Sequence, residues 1–187
     1  PPLEVRDVLD RSGGEIVERD KLLVTPEQRL RVRYKLDVRP RTLVESIDRD
    51  HKLVRVQNLH TDQRYEESYD KLILAPGATP LRPPLPGIDL PGIFTLRDLP
   101  DMDRIKSAID GGARQAIVVG AGFIGLEMAE NLVRRGVSTT VVEIQEQVLP
   151  PFDMEMASPI AKQLRSRGVE LILADSVEAF ERDGDGI

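Results

Sequence analysis

Ala116-Ile117-Val118-Val119-Gly120-Ala121-Gly122-Phe123-Ile124-Gly125-Leu126-Glu127 is the stretch whose reading decides the fold. A short apolar run, the pattern of a buried strand, ends on Gly120-Ala121-Gly122-Phe123-Ile124-Gly125, which fits G-x-G-x-x-G, and an amphipathic helix begins inside the motif. A second apolar run, Thr139-Thr140-Val141-Val142, then ends at an acid, Glu143, about 20 residues on. Each part has a physical task. Gly120 permits the tight turn, Gly122 lets the backbone approach a pyrophosphate with no Cβ between, and Gly125 lets the helix pack close on the strand. The amides at the helix start, through Phe123 and Ile124, face the phosphates with the positive end of the helix dipole. Glu143 is placed to accept hydrogen bonds from the adenosine ribose; the plainer reading is an acid that caps the strand in solvent. A 2′-phosphate would meet that carboxylate as a like charge, and Ile144-Gln145-Glu146-Gln147 brings no base to receive it. The motif therefore predicts an NAD site that takes NADH rather than NADPH.

Working outward, the alternation continues. Phe123–Arg135 reads as a helix stopped by Gly136, Met154–Arg167 as a second helix stopped by Gly168, and Glu170-Leu171-Ile172-Leu173 as a third strand. Strands and helices alternating over short loops imply a parallel sheet with right-handed crossovers. Asp183-Gly184-Asp185-Gly186-Ile187 carries a hairpin-turn signal with almost no partner strand behind it, so the domain reads as truncated. Before the motif, Leu99–Ile109 reads as a helix stopped by Gly111-Gly112. Residues 79–92 (TPLRPPLPGIDLPG) are too rich in proline to pair in a sheet or continue a helix. That stiff connector sets the expected boundary, with one domain over residues 1–92 and a Rossmann domain over 93–187.

The first third has a different period. Residues 1–20 are polar and broken by glycine, with room for one short helix. Thr25-Pro26-Glu27-Gln28 gathers helix-start signals, and a short helix follows to about Tyr34, with Arg29, Arg31 and Arg33 on a solvated face. Leu36-Asp37-Val38, Thr42–Ile47 and Lys52–Val56 alternate apolar and polar residues, with turn signals at Asp48-Arg49-Asp50 and Thr61-Asp62-Gln63. They predict an antiparallel meander closed by Glu66–Tyr69. Lys71-Leu72-Ile73-Leu74-Ala75 is a continuous apolar run, expected as a strand buried on both faces, and it ends at Pro76-Gly77-Ala78.

Composition narrows the function classes. The 187 residues are 40% hydrophobic and 31% charged with a net charge of −6, which supplies no basic patch for nucleic acid or a membrane surface. No apolar run approaches the ~20 residues of a membrane span, and no signal-peptide pattern opens the chain, so cytoplasmic residence is expected. Cysteine is absent, which excludes a disulfide framework, a thiolate metal site and a cysteine nucleophile within these residues. The two histidines, His51 and His60, sit in polar turns and read as surface. A short-chain dehydrogenase would need Tyr-x-x-x-Lys, but Tyr34, Tyr65 and Tyr69 are followed four residues later by Val38, Tyr69 and Ile73.

Taken in order, several motifs carry a resemblance: Leu72–Ala78, the proline connector, Leu96-Arg97-Asp98 with Asp101-Met102-Asp103-Arg104-Ile105, and Val118–Glu127. The chain resembles the pyridine nucleotide–disulfide oxidoreductases, in the branch of coenzyme A-disulfide reductases and NADH oxidases, over about residues 13–187. That resemblance implies a flavin domain interrupted by an inserted NAD domain, with electrons passing from NADH through FAD to a disulfide or to oxygen. It implies Ala75-Pro76-Gly77 as a flavin contact, Gly120, Gly122 and Gly125 as holders of the NADH pyrophosphate, Phe123 as an aromatic gate over the flavin, and Glu127 as an acid at the nicotinamide end. It also implies a homodimeric parent.

Departures from the family pattern shape the expectation. The family's first flavin G-x-G-x-x-G is absent, and Arg6 stands where the register from Gly13-Gly14-Glu15 would place a redox cysteine. The expected molecule is thus a piece of an oxidoreductase with part of the flavin domain, most of the NAD domain, and no redox centre of its own. The acceptor stays open among coenzyme A disulfide, another disulfide, a persulfide, oxygen and peroxide. A nucleotide-binding module without chemistry is the reading from a different class, and the flavin-domain remnant argues against it.

Overall fold

Val141 has no exposed surface and stands at the middle of the second half of the chain. It belongs to the central strand of a parallel sheet, the sheet type that the strand–helix alternation predicts. The computed structural model describes residues 27–182 and Gly184. They fall into two compact units, one running to Gly77 and the other taking up from Ala78. The expected helix within residues 1–20, the Thr25 cap with Pro26, and most of the terminal Asp-Gly turn lie outside the described residues.

In the first unit, α1 (Glu27–Tyr34) buries none of its residues, in keeping with its arginine-rich face, and Arg31 pairs with Glu27 one turn back at 2.7 Å. The meander follows as β1 (Thr42–Asp48), β2 (Leu53–Asn58) and β3 (Arg64–Ser68), antiparallel in that order. Both turns close on side chains. Asp48 Oδ1 accepts from the amides of Asp50 and His51, and Asn58 Oδ1 from those of His60 and Thr61.

Two expected strands are absent. Leu36-Asp37-Val38 has no strand pairing, because three alternating residues give too short a ladder without a neighbour in register. Leu72–Ala75 also lies outside regular structure, with Ile73 and Leu74 at 89% and 67% exposure instead of buried on both faces. An apolar run becomes a central strand only where strands flank it and layers cover it. Among the described residues, no strand pairs with this one.

In the second unit, α2 (Leu99–Asp110) starts where Asp98 accepts from the Asp101 amide at 3.0 Å, and it ends at Gly111, with Gly112 following at φ 99°. Then come β4 (Gln115–Val119), α3 (Phe123–Arg134), β5 (Ser138–Glu143), α4 (Met154–Ser166) and β6 (Glu170–Leu173). The three strands pair in parallel in the order β4-β5-β6, with Val118 opposite Val141 and Glu143 opposite Leu173. One core joins Ala121, Leu126, Ala129 and Val141 to Val148, Leu149, Ala157 and Ala161. A second holds Ile109 of α2 against Met128, Leu132 and Val137. Farther along, the Phe180 amide donates to the carbonyl of Pro86 in the connector at 2.8 Å.

Candidate dinucleotide site

The turn between β4 and α3 is shaped by its glycines, each for a different reason. Gly120 has φ 102°, in the region that side chains with a Cβ rarely enter. A Cβ on Gly122 would meet nothing within 4 Å, so that face of the turn is open to a ligand. A Cβ on Gly125 would lie 2.0 Å from the carbonyl oxygen of Gly120, so the helix sits directly on the turn. The positive φ, the open face and the close approach thus fall at the three glycine positions of the motif.

Helix α3 starts at Phe123 with Gly122 as its cap and no side-chain cap hydrogen bond. Its first amides have no partner within the helix, and among the described residues no side-chain hydrogen bond to them is seen. An uncapped start with an open glycine face suits an anionic group, so the residues present fit a dinucleotide pyrophosphate. Phe123 and Ile124, at this start, are 60% and 45% exposed. Glu127, one turn further, is half-buried.

Glu143 ends β5 beside the turn but is not a solvated cap. It is 7% exposed; one carboxylate oxygen accepts from the Ala121 amide at 2.7 Å and the other from the Gln145 amide at 2.9 Å. Sequence reasoning missed the loop that follows. Val148 and Leu149 are buried under the turn, and the Leu149 amide donates to the Ala121 carbonyl at 2.9 Å. Phe152 meets the Phe123 ring edge-on, with centroids 5.8 Å apart. The apolar pair and the two prolines at 150 and 151 were the available signal for an ordered loop. Nothing in the local pattern showed which element it would cover.

Ala75-Pro76-Gly77 belongs to the other unit and is exposed, with Gly77 at φ 75°. Among the described residues no strand pairs with this exposed stretch, so it does not by itself build a flavin site. Among the described residues, no helix is long and apolar enough to cross a membrane.

Compared with known proteins, the chain matches the model of the family described as pyridine nucleotide-disulphide oxidoreductase over residues 6–187. The chain belongs to that family. It is 40% identical over 162 residues to an NADH oxidase of Methanocaldococcus jannaschii, covering 85% of this chain and 36% of the relative. It is 39% identical over 170 residues to a coenzyme A disulfide reductase of Staphylococcus haemolyticus, covering 88% and 37%. This chain therefore spans little more than a third of those relatives' length. Among solved structures, it resembles a water-forming NADH oxidase of Lactobacillus brevis bound to NADH, with a TM-score of 0.88 and 27% identity over 97% of this chain and 40% of that one. An engineered NADPH oxidase made from that enzyme, bound to NADPH, matches with a TM-score of 0.86 and 27% identity over 95% and 39%. It carries a glycine-to-alanine change and, eighteen positions later, an aspartate-to-alanine change. The next two residues become arginine and serine, and a proline five positions further becomes arginine. The mixed α/β architecture and the membership in a flavin- and nicotinamide-dependent family agree with the expectation from sequence.

Proposed function

We propose that this chain is the NADH-docking part of an FAD-dependent NADH:disulfide oxidoreductase similar to the coenzyme A disulfide reductases. The observation that carries the reading is the turn at Gly120–Gly125, open at Gly122 and uncapped at the start of α3. In this proposal Gly120, Gly122 and Gly125 shape the cradle, and the amides at Phe123 and Ile124 bind the pyrophosphate. Phe123 is the movable aromatic at the nicotinamide end, and Glu127 contacts that end of the cofactor. Ala75-Pro76-Gly77 forms one edge of the flavin site, completed by other residues. Flavin, when bound, would supply the hydride acceptor, and the residues described here would orient the nicotinamide towards it. The domain division at the proline connector, the homodimeric parent and the cytoplasmic location belong to the same proposal. With no cysteine in its 187 residues, this polypeptide alone turns over no disulfide.

The choice of NADH is part of the proposal. A 2′-phosphate beside the Glu143 carboxylate would cost about 4 kcal/mol at 4 Å with an effective dielectric of 20. The changed positions of the engineered NADPH oxidase are spaced as Gly125, Glu143, Ile144, Gln145 and Pro150 are here. That coincidence supports these positions as the ones that read the 2′ group.

Titrating NADH and NADPH into the purified chain, followed by calorimetry, tests the reading. Saturable NADH binding with NADPH at least tenfold weaker is expected, and Glu143→Ala combined with Ile144→Arg should reverse the order. A chain that binds neither nucleotide, or both equally, contradicts it.

A second reading has oxygen or peroxide as the acceptor, and the archaeal NADH oxidase at 40% identity favours it. Comparing NADH consumption by the full-length parent with coenzyme A disulfide and with oxygen alone separates the two.

A further inference from the structure

Ala121, at the centre of the turn, has no exposed surface, and its peptide groups are held from two directions. Its amide donates to Glu143 Oε2 at 2.7 Å, a charge-assisted bond in a dry setting. Its carbonyl accepts from the Leu149 amide at 2.9 Å. Leu149 makes that bond from φ 47°, a region bulky residues rarely enter, and its buried side chain holds it there. Glu143's other oxygen accepts from Gln145, which fixes the start of the same loop.

We propose that Glu143 is a positioning residue for the phosphate-facing turn, and that with Leu149 it presets the turn before any nucleotide arrives. Rossmann acids at this position are read as ribose acceptors; here the carboxylate already serves two backbone donors, so its removal alters the turn itself. The Ala121 amide is thereby occupied, which leaves the phosphates to the amides at the start of α3. This inference rests on the reading of the turn as a dinucleotide site.

Two measurements test it, and the first needs no ligand. Amide hydrogen exchange of the unliganded chain, followed by NMR, should show Ala121 and Gln145 protected. In Glu143→Ala, Ala121 should exchange roughly tenfold faster, with the amides of β5 unchanged. Glu143→Gln keeps one acceptor oxygen and should fall between; it also stands in if the alanine variant does not fold. Unchanged exchange at Ala121, or acceleration shared by the whole of β5, overturns the proposal. The second measurement compares NADH with an analogue lacking both adenosine ribose hydroxyls. Glu143→Gln should weaken both ligands by a similar factor. A loss confined to NADH would limit Glu143 to the ribose and overturn the positioning role. If the wild-type chain binds neither ligand, the docking reading falls, and the exchange comparison alone decides this one.

Discussion

Gly125 faces the carbonyl oxygen of Gly120 with no room for a methyl group between them. The next neighbour of an added Cβ, beyond the Gly120 backbone, is the Val118 side chain at 3.3 Å, so the helix start is packed against both the turn and the strand beneath it. Gly125→Ala therefore has to push α3 away from β4. We expect a loss of about 1–3 kcal/mol in urea unfolding, the usual cost of forcing volume into a close-packed contact. A midpoint equal to wild type would show that the contact yields freely.

Asp110, the last residue of α2, accepts from Lys106 at 2.6 Å and from Arg135, just past α3, at 2.5 Å. The Lys106 hydrogen bond, then that of Arg135, hold its carboxyl below the ordinary carboxylate range. A carboxyl depressed by folding stabilises the native state above its unfolded value, about 3.9, and that contribution is lost as pH falls through the lower folded value. Comparing Asp110→Asn with wild type, the gap in urea midpoint at pH 7 should close on acidification. A gap independent of pH would mean that the charge is not what ties these helix ends.

Leu132 is 5% exposed in the cluster that seats α2 on α3. Its contacts are apolar, so truncation removes transfer energy and leaves a cavity between two helices. We expect Leu132→Ala to cost about 2–5 kcal/mol by urea unfolding. A loss below 1 kcal/mol would place α2 outside the cooperative unit.

Phe152 lies at 39% exposure with its ring edge-on to Phe123. Such a pair contributes about 0.5–1.5 kcal/mol beyond burial, so Phe152→Ala should cost far less than Leu132→Ala. The ring protons of Phe123 should lose their ring-current shift in the NMR spectrum. Unmoved Phe123 resonances would show that the two rings do not pair in solution.

Much of this fold is written in local pattern. The span from Ala116 to Leu173 was legible because the period switches between strand and helix at glycines whose conformation leaves few options, Gly120, Gly136 and Gly168 among them. Leu72–Ala75 was misread for the converse reason. Its residues would suit a central strand, but burial is a property of neighbours, and the run alone does not supply them. At the site, the glycines announce their tasks because each depends on the absence of a Cβ. The double hold of Glu143 on Ala121 and Gln145 left no such mark, since it depends on where a carboxylate ends up once β5 and the turn are side by side. Leu149 was invisible for a similar reason, because no residue type advertises a leucine in the left-handed region.

The bond between Phe180 and Pro86 has a consequence for how this unit travels. The connector ahead of the parallel sheet and the backbone seven residues beyond β6 lie within a single hydrogen bond of each other. A Cβ on Gly87 would strike the Phe180 carbonyl at 2.0 Å, so the two backbones press together at that neck. A segment whose ends are adjacent can be spliced into a surface loop of another protein without prying the host's loop ends apart. The stretch between Pro86 and Phe180 thus begins and ends at one place.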